Sequence, residues 1–194
     1  MSLLQRTARG VAEMLGRESW LIRRIRPAYK SLLVWSGGPQ GIPWVINGVT
    51  YRIDPRQYHQ LALDHEAPVA AFLREKVKPG AVCFDVGANV GAYVMQFAHW
   101  CGPTGTVIAF EPNPSAREIL WRHIQWNGLT ERVRIVPAAV GATAGEAILY
   151  AADADGMSRL GAPNVLIADR VSPIKVPVLT LDSYCETAGL TPDW

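Results

Sequence analysis

Long apolar runs are missing from this chain, although 49% of its 194 residues are hydrophobic. No stretch has the length of a signal-peptide core, and none approaches a membrane span. Cysteine is scarce: Cys83, Cys101 and Cys185 stand far apart with no CxxC pair. That pattern argues against a disulfide framework and a zinc site, so no metal is expected, and it fits a reducing cytoplasm. Excess charge of one sign is also absent, with 19 Lys and Arg against 17 Asp and Glu. A net charge of +2 is too mild to argue for nucleic acid, and the body of the chain has no basic stripe with interleaved aromatics. No repeat or low-complexity tract interrupts it. What remains is the length and composition of one ordinary α/β domain with a short extension.

The N-terminal stretch is the exception to the balance of charge. Arg6, Arg9, Arg17, Arg23, Arg24, Arg26 and Lys30 face only Glu13 and Glu18, and leucine, isoleucine, valine and methionine interleave with them. This is the pattern of a basic amphipathic helix. The plainer expectation is that it packs on its own domain; the alternative is a peripheral contact with an anionic membrane or a partner. A Gly/Pro-rich joint spans residues 31–43. Then Trp44-Val45-Ile46, Asn47-Gly48 and Val49-Thr50-Tyr51-Arg52-Ile53 read as a β-hairpin, because both central residues of a type I′ turn need positive φ. The expected divisions are residues 1–40 (helical extension), 41–65 (hairpin segment) and 66–194 (main domain). A helix is expected over 66–78, with Val69, Ala70, Phe72, Leu73 and Val77 on one side, ending at Pro79-Gly80.

From residue 81 the rhythm becomes strand, helix, strand, helix, strand. The short apolar runs at 81–86, 106–110 and 133–136 suit parallel strands covered on both faces. Between them, Val90, Tyr93, Val94 and Phe97 recur at helical spacing, as do Ala116, Ile119, Leu120 and Ile124. Ser115-Ala116-Arg117-Glu118 reads as a capping box, and Asn127-Gly128 as the stop. Such alternation predicts βαβ units and an open, mostly parallel sheet of Rossmann-like kind. Beyond Gly141, the runs 146–150 and 175–180 read as an antiparallel pair, with Pro177 marking an edge strand, and 181–188 as a short helix.

The chemistry concentrates in Asp85-Val86-Gly87-Ala88-Asn89-Val90-Gly91 at the end of the first of these strands. Ligands of open α/β sheets bind at the carboxyl ends of strands, where glycines let the backbone approach. Asn89 stands at the middle glycine position, and asparagine tolerates a left-handed backbone. A second acid, Glu111, ends the next strand, where a carboxylate can accept from ribose hydroxyls. A dinucleotide's pyrophosphate would be poorly matched to Asp85, and the G-x-G-x-x-G pattern is missing. S-adenosylmethionine instead brings a cationic amino group and a sulfonium. Opposite charges at ~4 Å attract by about 4 kcal/mol at an effective dielectric of 20, before desolvation. Each residue also has a plainer reading: Gly87 and Gly91 as a tight turn, Asp85 as a helix cap, Asn113 as the cap of the following helix. The coincidence of all three favours the adenosyl reading over a nucleotide-dependent oxidoreductase.

Together with Lys78-Pro79-Gly80, Phe110-Glu111-Pro112-Asn113-Pro114, Val136-Pro137-Ala138-Ala139-Val140 and Val178-Leu179-Thr180-Leu181-Asp182, this motif resembles the FkbM-type methyltransferases over residues 77–194. The resemblance implies a class I methyltransferase fold, S-adenosyl-L-methionine as donor, and O-methylation of a small-molecule, sugar or glycolipid-type acceptor. Carried over by position, Asp85, Gly87, Ala88, Asn89 and Gly91 would line the methionine side. Glu111, with Pro112 and Asn113, would hold the ribose, and Ala139 would lie near the adenine. In that family a segment like Pro192-Asp193-Trp194 leads into a fourth strand, so the chain is expected to be a truncated member, weakly stable or weakly binding, and the alternative is a catalytically incompetent fragment. No base is nominated: His99 and His123 fall in helices, while His59, His65, Tyr51, Tyr58 and Glu66 stay open.

Overall fold

The computed structural model describes residues 19–152, 159–160 and 171–194. The chain divides into two compact units, Met1–His65 and Glu66–Trp194. The part of the basic stretch that precedes Ser19 lies outside the described residues.

In the first unit, helix α1 (Trp20–Gly37) is followed by strands β1 (Ile42–Ile46) and β2 (Val49–Ile53). The strands pair antiparallel with Ile46 opposite Val49. Asn47 and Gly48 turn the chain at φ 46° and 86°, the positive values a type I′ hairpin requires. Leu33, Ile46, Ile53 and Leu61 are fully buried, and Trp44 donates its indole N–H to the Leu61 carbonyl at 2.6 Å. The helix runs through Ser36-Gly37, which the sequence suggests already belongs to the Gly/Pro-rich joint. Gly37 is instead a packing contact: a Cβ there would stand 3.2 Å from Ile42 and 3.3 Å from Pro55.

The second unit begins with α2 (Ala67–Lys76). Its buried positions are Ala70 and, just past its end, Val77, whereas Val69 and Phe72 are exposed, contrary to the single apolar side expected. Phe72 stands edge-on to the Trp194 ring at 6.4 Å. Strands β3 (Val82–Val86), β4 (Thr106–Phe110) and β5 (Val133–Val136) then form a parallel sheet in that order. Helices α3 (Ala92–Trp100) and α4 (Pro114–Trp126) are the crossovers. The register places Val86 beside Phe110 and Phe110 beside Val136, so the carboxyl ends of all three strands are level. Outside β3, the Phe84 amide donates to the Trp194 carbonyl at 2.7 Å and the Asp193 amide to the Val82 carbonyl at 2.8 Å. This slanted pattern is that of a parallel ladder.

One cap differs from the expected capping box. Asn113, not Ser115, caps α4: its side chain accepts from the Ser115 amide at 3.0 Å, with Pro114 in the first helical position. Proline fits there because its fixed φ suits the helix and its missing N–H would have had no partner.

A second sheet has the order β6-β9-β7-β8. It comprises β6 (Ala139–Val140), β7 (Gly145–Ala152), β8 (Arg159–Leu160) and β9 (Val171–Leu179). The β7–β9 pair is antiparallel, as the sequence suggests, but β9 is an inner strand. Pro177 is tolerated by register rather than by an edge position. Gly141 donates to the Leu179 carbonyl, so odd-numbered residues of β9 turn their peptide groups toward β6. There β6 pairs only with Val178 and Leu179, and Pro177 has no ladder bond to forfeit. Ala139, Leu149 and Val176 form a small core within this sheet. Finally α5 (Leu181–Ala188) sets Tyr184 edge-on against Phe84 and Phe110, at 5.8 and 5.0 Å.

Candidate functional site

The level carboxyl ends of β3 and β4 open onto a cavity of about 370 Å³. Gly87, Asn89, Glu111, Pro112, Asn113 and Ala139, six of the residues singled out from the sequence, line it. Val86, Phe110, Ala116, Ala138 and Val140 add apolar wall, and Leu149 reaches it from the second sheet. Val86 borders this opening and is 53% exposed.

The loop after β3 holds its shape through three left-handed residues, Gly87, Asn89 and Gly91, at φ 80°, 48° and 92°. Its amides turn inward toward β4. Gly87 and Ala88 both donate to the Phe110 carbonyl, at 2.9 and 3.1 Å. Asn89 donates to Glu111 Oε2 at 2.7 Å, and Asn113 donates to Glu111 Oε1 at 2.8 Å. One buried carboxylate therefore ties the β3 loop to the β4 loop. Each of its oxygens keeps further lone-pair capacity for a ligand hydroxyl. Burial raises the Glu111 carboxyl above its ordinary range, and the two amides and the nearby Arg117 pull it back. Arg117 also donates one guanidinium nitrogen to the carbonyls of Glu111 and Pro112, at 3.0 and 2.6 Å. Read as a middle residue of a capping box, Arg117 gives no sign in the sequence that it braces this loop.

Three residues singled out from the sequence stand behind the cavity wall. Ala88 is buried beneath the loop. Gly91 precedes α3, and a Cβ there would come within 2.5 Å of Leu120 Cδ1, so its need is for close helix packing. Asp85 lies at the end of β3, where its Oδ2 is buried without a hydrogen-bond partner. Burial and then the Glu111 charge push its carboxyl up to about 7, against the opposing pull of the Val94 amide in the first turn of α3. The N-cap position of α3 itself is held by Gly91, with no side-chain cap. His123 is a packing residue, fully buried with Nδ1 2.7 Å from the Val90 carbonyl, and His99 is exposed. Glu66 accepts from the Tyr93 hydroxyl at 2.7 Å. Among the described residues, no three His, Cys, Asp or Glu side chains gather as a metal site would require.

Residues 85–193, more than half of the chain, match the family model of the methyltransferase FkbM domain. The chain belongs to the FkbM methyltransferase domain family. In this FkbM domain the parallel β3–β5 sheet and its crossover helices form a Rossmann-like α/β frame. The 31-O-demethyl-FK506 methyltransferase FkbM of Streptomyces tacrolimicus is 42% identical over 72 residues, covering 36% of this chain. The match spans only 26% of that relative's length. Among solved structures, a SAM-dependent O-methyltransferase from Thermotoga maritima is 28% identical, over 36% of this chain and 27% of its own, with a TM-score of 0.34. A SAM-dependent methyltransferase from Aquifex aeolicus is 22% identical, over 37% of each chain, with a TM-score of 0.33. Overlaps this partial leave the FkbM assignment resting on the sequence match.

Proposed function

We propose that the FkbM domain binds S-adenosyl-L-methionine and serves methyl transfer to an oxygen acceptor of a small molecule, sugar or glycolipid. The observation that carries this reading is the pairing of Asp85 and Glu111, two carboxyls raised by burial, beside a cavity whose lining, among the described residues, holds no cationic side chain. Such a lining suits a ligand with a cationic end and hydroxyls, and offers nothing to a pyrophosphate. Behind that lining, the Asp85 carboxylate would favour the ammonium of the methionine portion through its charge. Glu111 keeps lone pairs for ribose hydroxyls, and Ala138, Ala139, Val140 and Leu149 form an apolar wall suited to an adenine face.

When bound, the cofactor supplies a methyl group on a sulfonium, activated for in-line displacement. This chain's residues would hold and orient it, since alignment of donor and acceptor lowers the barrier substantially. Cys83 and Cys101 are buried free thiols, which supports placing the domain in a reducing cytoplasm. Among the described residues no helix is long and apolar enough to cross a membrane.

The reading is tested by incubating the protein with methyl-tritiated S-adenosylmethionine and a panel of hydroxylated macrolides, sugars and glycolipids. Label should enter an acceptor as an ether that survives mild alkali. Label released by mild alkali as methanol would instead mark a carboxyl ester, and label on nitrogen would contradict an oxygen acceptor altogether.

A further inference from the structure

Glu66 stands at the N-cap position of α2 in a conformation that does not suit it. Its backbone is left-handed, at φ 43° and ψ 46°, where an N-cap is ordinarily extended and a residue with a Cβ is strained. Its carboxylate makes no capping bond to its own helix. Instead, Glu66 Oε2 accepts from the Tyr93 hydroxyl on α3 at 2.7 Å. Glu66 is exposed, and its Oε1 has no hydrogen-bond or ion-pair partner among the described residues. Burial, then the bond to Glu66, then the charges of Glu66 and Asp85 push the Tyr93 phenol above its ordinary range. Tyr93 therefore stays the donor and Glu66 the acceptor at neutral pH.

The pair adjoins the Asp85 end of the cavity. Val86 and Gly87, which follow Asp85, are in the cavity lining. The Asp85 carboxyl takes the amide of Val94, the residue after Tyr93, and its charge reaches the Tyr93 phenol. Asp85 Oδ2 is shut away from solvent, so Asp85 acts on a ligand through its charge. A carboxylate that touches a ligand has to be exposed, and Glu66 is exposed, fixed in place and close by. An ammonium has three donors and no acceptor, so it calls for an oxygen such as Oε1 that nothing else occupies. We propose that Glu66 receives the ammonium of the ligand's amino-acid tail, with Tyr93 as the positioning residue that holds its carboxylate. The donor site then extends beyond the glycine loop to α2. The assignment rests on the adenosyl reading above, and it gives the left-handed backbone of Glu66 a purpose, strain kept at a ligand clamp.

The test is calorimetry of the full chain with S-adenosylhomocysteine and with 5′-methylthioadenosine, which keeps the adenosyl group and the thioether but has no amino-acid tail. The parent should bind S-adenosylhomocysteine about tenfold more tightly, or better. Glu66→Gln should weaken S-adenosylhomocysteine by about tenfold or more and leave methylthioadenosine unchanged. Tyr93→Phe should weaken S-adenosylhomocysteine severalfold, again sparing methylthioadenosine. Glu66→Gly relieves the left-handed strain, so it should melt no lower than the parent and still lose the tail's contribution. A merely structural clasp between α2 and α3 would move both ligands together and lower the melting temperature in every variant. Equal losses for the two ligands, no loss for S-adenosylhomocysteine, or equal parent affinities would overturn the assignment and leave the adenosyl reading standing. A parent chain that binds neither ligand would overturn that reading and the assignment with it.

Discussion

Asp85→Asn should make the ligand-free protein more stable at pH 8 than the parent chain, while weakening its hold on S-adenosylhomocysteine at least tenfold. The folded carboxyl sits at about 7 against an ordinary value of 3.8. A carboxyl raised in this way favours folding when protonated, so its contribution is fully present below pH ~4 and is lost as pH rises through about 7. At 1.36 kcal/mol per unit, the ionised form costs up to about 4 kcal/mol above pH 7. Asparagine removes that cost and flattens the pH dependence between 4 and 7. It also removes the negative charge proposed to meet the ligand's ammonium. For the parent chain, S-adenosylhomocysteine binding below pH 7 should release a proton, detectable by calorimetry in buffers of different ionisation enthalpy. A melt at pH 8 in which Asp85→Asn is the less stable protein would mean the carboxylate is stabilised where it lies.

Glu111→Ala should cost more than any other single change at the site. Two amides, of Asn89 and Asn113, would lose their acceptor together, at 2.7 and 2.8 Å in the parent structure. Hydrogen bonds to charged groups contribute about 1.5–3 kcal/mol each, so the loss is about 3 kcal/mol or more. For a unit of this size that lowers the melting temperature by roughly 10 °C. Glu111→Gln keeps one acceptor oxygen and should lose about half as much. Ligand binding should vanish in the alanine variant and weaken in the glutamine one. Melting of Glu111→Ala at the parent temperature would remove the carboxylate clamp from the account.

The parts of this fold that could be read from the sequence are those fixed by local pattern. Runs of buried strand residues, glycine stops and helical spacing locate β3, α3, β4, α4 and β5, and Asn47-Gly48 locates the hairpin. The less legible parts depend on which of two satisfied patterns the tertiary structure uses. Ser115-Ala116-Arg117-Glu118 meets the capping-box rule, but Asn113-Pro114 meets the cap and first-turn rules one step earlier, and the position of Glu111 decides between them. Spacing alone places Phe72 and Val69 with Ala70, yet the unit buries only Ala70 of the three. In the site, the acidic and glycine positions follow from chemistry at strand ends. Arg117 and Leu149 do not, because one braces backbone carbonyls and the other arrives from a separate sheet.

The central claim is that the cavity beside Gly87, Asn89 and Glu111 takes an adenosyl ligand with a cationic amino-acid tail and not a dinucleotide. Isothermal titration of the full chain with S-adenosylhomocysteine, and separately with NAD, tests it directly. One-to-one binding of S-adenosylhomocysteine, abolished by Glu111→Ala, is expected, with no heat from NAD. Heat with NAD and none with S-adenosylhomocysteine would contradict it.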